Sequence, residues 1–238
     1  MPVKAWPLRI LVTGFGRFPG ARDNPTAPLI RALANHKARL ARLGIALDVA
    51  LLPVHFAGAA QKLEELEKAL RPDAILHFGL AARRKYLSVE TRALNRVSLL
   101  HCDTSGARAS CRVIVAGAAH SKRATFPARQ IEAALRRASL RARLSVNAGD
   151  YVCNEMLYLS LSRSQARAIG FLHVPRLARL ARPKKTPRDR QENLAGLTRA
   201  ALITILVTAR NLRPHLLHHD FVKGPHVSLA LDLARPMT

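Results

Sequence analysis

The chain has 238 residues, and its 39 Lys and Arg against 15 Asp and Glu leave a formal net charge of +24. Apolar residues make up 49 % and charged residues 23 %, the balance of a globular protein whose core needs no staples, which argues against a chain disordered throughout. Three cysteines, Cys102, Cys111 and Cys153, none in C-x-x-C spacing, argue against a disulfide framework and a four-cysteine zinc module. Neither the N-terminal residues nor any later run has the apolar length of a signal peptide or a membrane span. A reducing, cytoplasmic setting without a membrane partner is expected.

Apolar runs alternate with helical patterns along the chain. Residues 9–13 form a short β-rich run stopping at Gly14, as a buried strand would. Asn24-Pro25 then opens a helix, with Asn suited to the N-cap and Pro to the first turn, continued by Leu29, Ile30, Leu33 and Leu40. A strand over residues 45–54 is followed by a helix over 59–70, where Glu64 is spaced to pair with Lys68. Residues 73–79 read as a third strand, and 86–100 as a strand pair with a helix as the alternative. A basic helix over 127–140, a strand over 144–147, a helix over 153–168, a strand over 169–174 and a helix over 192–211 complete the series. Strands separated by helices are the pattern of an α/β layered domain with a largely parallel sheet. Residues 176–190 (RLARLARPKKTPRDR) are a basic cluster opposed only by Asp189, and residues 214–238 read as a C-terminal extension.

Three residues stand out chemically. Cys153 follows a strand and a Gly149 turn and opens a helix, so its sulfur is placed where the dipole and free N–H groups lower a thiol pKa and hold an oxyanion; a buried small hydrophobe is the plainer reading. His173 ends a strand, where open α/β sheets collect ligands and a general base can serve a thiol; a satisfied core histidine is the plainer reading. Glu90 could orient an imidazole or form a salt bridge with Arg83, Arg92 or Arg96. The segment Gly14-Phe-Gly-Arg-Phe-Pro-Gly20 misses dinucleotide spacing by one residue and carries bulky Phe15 and Phe18, which look like a pocket wall or core. The ten histidines lack metal-ligand spacing.

Four stretches in order resemble the pyroglutamyl-peptidase I (pyrrolidone-carboxyl peptidase) family of cysteine peptidases. Leu11-Val-Thr-Gly-Phe-Gly-Arg-Phe-Pro-Gly20 with Asn24-Pro-Thr26 is similar to its T-G-F-x-P-F-G-G and N-P-S segment. Gly79-Leu-Ala-Ala-Arg83, then Glu90 and Asn95, is similar to its G-x-A-G-G-R and E-R-V-A-I-N region. Ser145-Val-Asn-Ala-Gly-Asp-Tyr-Val-Cys-Asn154 resembles its nucleophile segment, and Phe171-Leu-His-Val-Pro175 its F-I-H-V-P. The resemblance implies a three-layer α/β/α sandwich over residues 1–213 with a mostly parallel twisted sheet. It implies Cys153 as nucleophile, His173 as general base and Glu90 as orienting carboxylate, acting on peptides with an N-terminal pyroglutamate without cofactor or metal. Phe15, Phe18, Leu80, Tyr151 and Val152 are implied to bind substrate, and the chain to associate as a homodimer or homotetramer.

The chain also departs from the family pattern. Leu80 replaces a polar residue, Ala82 a glycine and Thr91 an arginine. Residues 97–103 (VSLLHCD) lack the Asp-Asp-Ala-Arg pattern and with it an arginine expected near the oxyanion or substrate. The interval from Cys153 to His173 is short, and Arg176 follows Pro175 where an aromatic is common. Reduced activity or an altered acyl preference is one implication. The alternative is a catalytically weak or inactive relative whose basic surface binds nucleic acid or acidic partners.

Overall fold

The computed structural model describes residues 7–18, 24–177 and 193–213. Six strands form one sheet in the order β2-β1-β3-β8-β4-β7, where β1 is Leu8–Phe15, β2 Ile45–Leu52, β3 Ala74–Leu80, β4 Leu87–Glu90, β7 Ala142–Ser145 and β8 Ala168–Val174. Every neighbouring pair is parallel except β4 with β8. A second sheet pairs β5 (Arg92–Leu94) antiparallel with β6 (Ser121–Arg123). The mostly parallel α/β expectation therefore holds.

Alternation along the strands divides the core into two layers, because successive side chains point to opposite faces. Leu8, Ile10 and Val12 of β1 pack with α1 (Thr26–Ala34), α2 (Lys37–Arg42), α4 (Ala128–Arg137) and α6 (Leu194–Leu212). Leu11 and Phe15 pack on the other face with α3 (Phe56–Leu70) and α5 (Val152–Arg163). The result is the three-layer α/β/α sandwich. Thr13, on the second face, donates from its hydroxyl to Nδ1 of buried His77 at 2.7 Å, and His77 Nε2 donates to Ser160 Oγ at 2.9 Å. The direction is fixed because Ser160 spends its own proton on the Met156 carbonyl, 2.8 Å away. Burial pushes His77 down to about 3, so it is a neutral tie between the sheet and α5.

Several expected elements shift. Pro25 is the N-cap of α1 and Thr26 its first residue; Asn24 still caps the turn by accepting from the Thr26 N–H at 3.1 Å. The helix expected to run on to Leu40 breaks into α1 and α2. The expected strand pair within residues 86–100 is two strands that part at Thr91, β4 joining the large sheet and β5 the small one. Residue Thr91 marks the parting, since its N–H and hydroxyl both donate to the Ser145 carbonyl of β7. The helix after Cys153 ends at Arg163, five residues early, because residues from Ala168 are needed in β8. Glu64 and Lys68 pair as expected, at 2.6 Å. Among the described residues no helix is long and apolar enough to cross a membrane. The extension over residues 214–238 lies outside the described residues, as does the basic cluster beyond Leu177.

Candidate active site

The carboxyl ends of β3 and β8 and the first turn of α5 converge on Gly79, His173 and Cys153. Glu90 and His173 come from the adjacent antiparallel strands β4 and β8, where Glu90 stands opposite Phe171 and His173 opposite Ser88. Both side chains thereby point to one face, and Glu90 Oε1 lies 2.8 Å from His173 Nδ1. Glu90 is fully buried and His173 only 5 % exposed. A carboxylate oxygen accepts, so Nδ1 carries the donated proton and the imidazole's outward Nε2 is left with its lone pair. The Phe171 ring lies against the imidazole, 4.6 Å between centroids.

A second cation shares the same carboxylate oxygen. Arg84 Nη1 donates to Glu90 Oε1 at 2.6 Å, and its Nη2 donates to the Asn147 carbonyl at 2.8 Å. Arg83 is exposed; the gripping residue is its neighbour. The salt bridges considered for Glu90 with Arg83, Arg92 or Arg96 are replaced by Arg84 and His173. Because Asn147 begins the loop into α5, one guanidinium ties the orienting acid to the segment that carries the sulfur.

That loop is built for a sharp entry into α5. Asn147 Oδ1 accepts from the Gly149 N–H at 3.0 Å, and Gly149 has φ +88°, a conformation side-chain-bearing residues rarely adopt. The next turn is anchored by Asn154, fully buried, which accepts from the Leu94 N–H at 2.9 Å and donates to the Leu94 and Arg96 carbonyls at 2.8 Å each. Nothing in the spacing of residue types signals this anchor; it depends on β5 passing beside the helix.

Cys153 is half-buried, and its Sγ rests against Gly79, the register partner of His173. A Cβ at Gly79 would meet Sγ at 2.9 Å and the Phe171 ring at 2.6 Å. Gly79→Ala is therefore expected to displace the sulfur and the Phe171 ring on which the imidazole lies, lowering kcat by at least about tenfold while costing about 1–3 kcal/mol of stability through overpacking. Steady-state kinetics beside a denaturant titration checks both. The thiol itself corrects the sequence expectation. Burial, with the Glu90 charge adding to it, pushes Cys153 up to about 12 rather than down; the group's own backbone N–H opposes this only weakly. At neutral pH the resting sulfur is a thiol.

Beside it lies an aromatic cage. Tyr151 is approached by Phe18 at 6.3 Å, by Phe56 edge-on at 5.5 Å and by His101 edge-on at 6.2 Å between ring centroids. Its hydroxyl donates to the Cys102 carbonyl at 2.8 Å. Phe18 and Tyr151, both implied to bind substrate, thus meet. Phe15 is buried behind them, stacked on Phe171 at 6.2 Å, and Val152 is buried in the same core layer. Leu80 is buried at the end of β3, opposite Val174, outside both apolar clusters. Phe56 and His101 were not singled out by the sequence; they arrive from α3 and from the divergent 97–103 segment. Buried Asp103 holds that segment in place, accepting from the first N–H of α3 at Phe56 (3.2 Å) and from Ser105 and Ala107.

Known proteins share this arrangement of chain. The family model described as pyroglutamyl peptidase matches residues 8–206. The pyrrolidone-carboxylate peptidase of Pyrococcus furiosus is 34 % identical over 172 residues, 71 % of this chain and 81 % of that protein. That of Cupriavidus necator is 34 % identical over 211 residues, 86 % of this chain and 95 % of that protein. The crystal structure of pyrrolidone carboxyl peptidase from Thermus thermophilus superposes with a TM-score of 0.70 at 33 % identity, covering 82 % of this chain and 98 % of that one. A match of this extent over the strands and helices that carry Glu90, Cys153 and His173 leaves one assignment: the chain belongs to the pyroglutamyl peptidase family.

Proposed function

We propose that this chain removes an N-terminal pyroglutamyl residue from peptides, with Cys153 as nucleophile, His173 as general base and acid, and Glu90 as the orienting carboxylate. The observation that carries the reading is the 2.8 Å contact of Glu90 with His173 Nδ1, next to a sulfur seated against His173's strand partner Gly79. As Sγ attacks the lactam-bearing carbonyl carbon, its proton passes to His173 Nε2, and the imidazolium formed is stabilised by Glu90. The oxyanion faces the N–H groups of the first turn of α5. Collapse breaks the C–N bond, the imidazolium protonates the departing amine, and a thioester remains. Water, deprotonated by His173, then attacks the thioester carbonyl, breaking the C–S bond and regenerating the thiol.

A thiol raised to about 12 fits a mechanism in which proton transfer accompanies attack rather than one that waits on a standing thiolate. The cage of Phe18, Tyr151 and Phe56, backed by Phe15, suits a compact neutral lactam that needs few hydrogen bonds. Val152 contributes as buried support to this slot, whereas Leu80, next to Gly79 on β3 and so turned to the other face of the sheet, does not reach it. Release of a fluorogenic amine from a pyroglutamyl amide tests the reading: turnover is expected with the pyroglutamyl amide and not with the matching prolyl amide, whose ring lacks the lactam carbonyl. Equal turnover of both, or of neither, would overturn it.

A further inference from the structure

A lactam held in the aromatic cage leaves the rest of the peptide to cross the rim formed by the carboxyl ends of β1, β3 and β8. That rim is cationic. Arg17 lies between Phe15 and Phe18, Arg83 adjoins the Arg84 that grips Glu90, and Arg176 lies three residues beyond His173; all three are exposed. Exposed Arg108 donates from Nε to Cys102 Sγ at 3.3 Å, on the segment whose carbonyl holds the Tyr151 hydroxyl. Among the described residues neither Arg17 nor Arg83 has an ion-pair partner.

Among the described residues the acids near the site do not offset the Arg17 and Arg83 charges. Glu90 and Asp103 are buried and engaged with Arg84, His173 and backbone N–H groups. Half-buried Glu155 is pushed up to about 7 by burial, so part of its population is neutral at physiological pH, and half-buried Asp150 adds one charge. Among the described residues the only exposed acids are Glu64 and Glu65. Both lie on α3, eight or more residues past Phe56 and so about 12 Å along the helix from its contact with Tyr151, and they pair with Lys68 and Lys62. Among the described residues Arg17 and Arg83 thus outweigh the Asp150 charge at the opening, and a cleft with an excess of one sign concentrates ligands of the other.

Building on the peptidase reading, we infer that the arginine rim makes this enzyme selective for pyroglutamyl peptides whose released portion is acidic. The lactam is neutral and gives no electrostatic discrimination; the discrimination falls on the residues after the scissile bond. The preference acts on capture of the peptide, so it enters kcat/KM and is screened by salt, whose Debye length falls from about 10 Å at 0.1 M to about 3 Å at 1 M.

The test uses three C-terminally amidated peptides, pyroglutamyl-Ala-Glu-Glu, pyroglutamyl-Ala-Ala-Ala and pyroglutamyl-Ala-Lys-Lys, with a neutral pyroglutamyl amide as reference. At low ionic strength kcat/KM is expected to fall in that order, with about tenfold or more between acidic and basic peptides, and the spread is expected to collapse near 1 M salt. The double variant Arg17→Glu with Arg83→Glu is expected to erase or reverse the order while hydrolysing the neutral amide as the parent does. Equal kcat/KM for the three peptides at low salt, with the neutral amide still hydrolysed, overturns the selectivity and leaves the peptidase reading intact. A spread that persists at high salt, or in the double variant, overturns it as well. Failure to hydrolyse the neutral amide overturns the peptidase reading itself, and the selectivity with it.

Discussion

Cys153→Ala and His173→Ala are each expected to lower kcat/KM on a pyroglutamyl amide by at least about 10⁴-fold, and the double variant to be little worse than either alone. Groups that pass one proton between them act as a unit, so removing the second after the first removes nothing further. Additive losses would show that the two do not work on the same step. The raised thiol supplies a second readout that needs no substrate. Its ordinary value is 9.0, and burial brings it to about 12. Below pH 9 neither folded nor unfolded chain ionises it, and the neutral form costs nothing extra. Between about pH 9 and 12 the unfolded chain releases the proton while the folded one retains it, so the contribution to stability is lost as pH rises. Thermal midpoints of the parent are therefore expected to fall more steeply over that window than those of Cys153→Ala. Parallel curves would mean that burial does not raise the thiol in the folded chain.

The sequence carried most of the frame because its signals were local. Short β-rich runs such as residues 9–13, Asn24 before Pro25, and Glu64 four residues before Lys68 each report on their own few neighbours, and each is found where expected apart from a residue or two at the ends. For the candidate site, motif and position coincided at Cys153, His173 and Glu90, and of these the structure joins Glu90 to His173 at 2.8 Å. What failed was whatever depends on parts of the chain that meet only after folding. Helix position alone argued for a lowered thiol, yet Cys153 is raised by burial against Gly79 of β3 and by the Glu90 charge of β4. Arg83 and Arg84 are indistinguishable as residue types, and only the path of the chain into β4 turns Arg84 inward. Phe56 and His101 join Tyr151 from segments 95 and 50 residues away in sequence, a distance across which no periodicity speaks.

Glu90→Gln should separate orientation from simple packing. Glutamine nearly preserves the shape of a side chain with no exposed surface, so a loss of activity cannot be laid to a cavity. It does remove the charge that one oxygen presents to both Arg84 at 2.6 Å and His173 at 2.8 Å. An amide nitrogen turned toward His173 would force Nδ1 to accept, placing the proton on the nitrogen that must take it from sulfur. A fall in kcat of about 10³–10⁴-fold with little change in KM is expected, as for the corresponding change in a serine-protease triad. Leaving the Arg84 guanidinium without its partner is expected to cost about 3 kcal/mol of stability, discounted because Arg84 is 27 % exposed. Arg84→Met tests the other half of the contact: it keeps the carboxylate on His173, so its kinetic loss is expected to be far smaller, while the tether to the Asn147 carbonyl is lost. If Glu90→Gln retained kcat within about tenfold of the parent, the imidazole would have to be oriented by its packing against Phe171 alone, and Glu90 would be a structural counter-charge for Arg84.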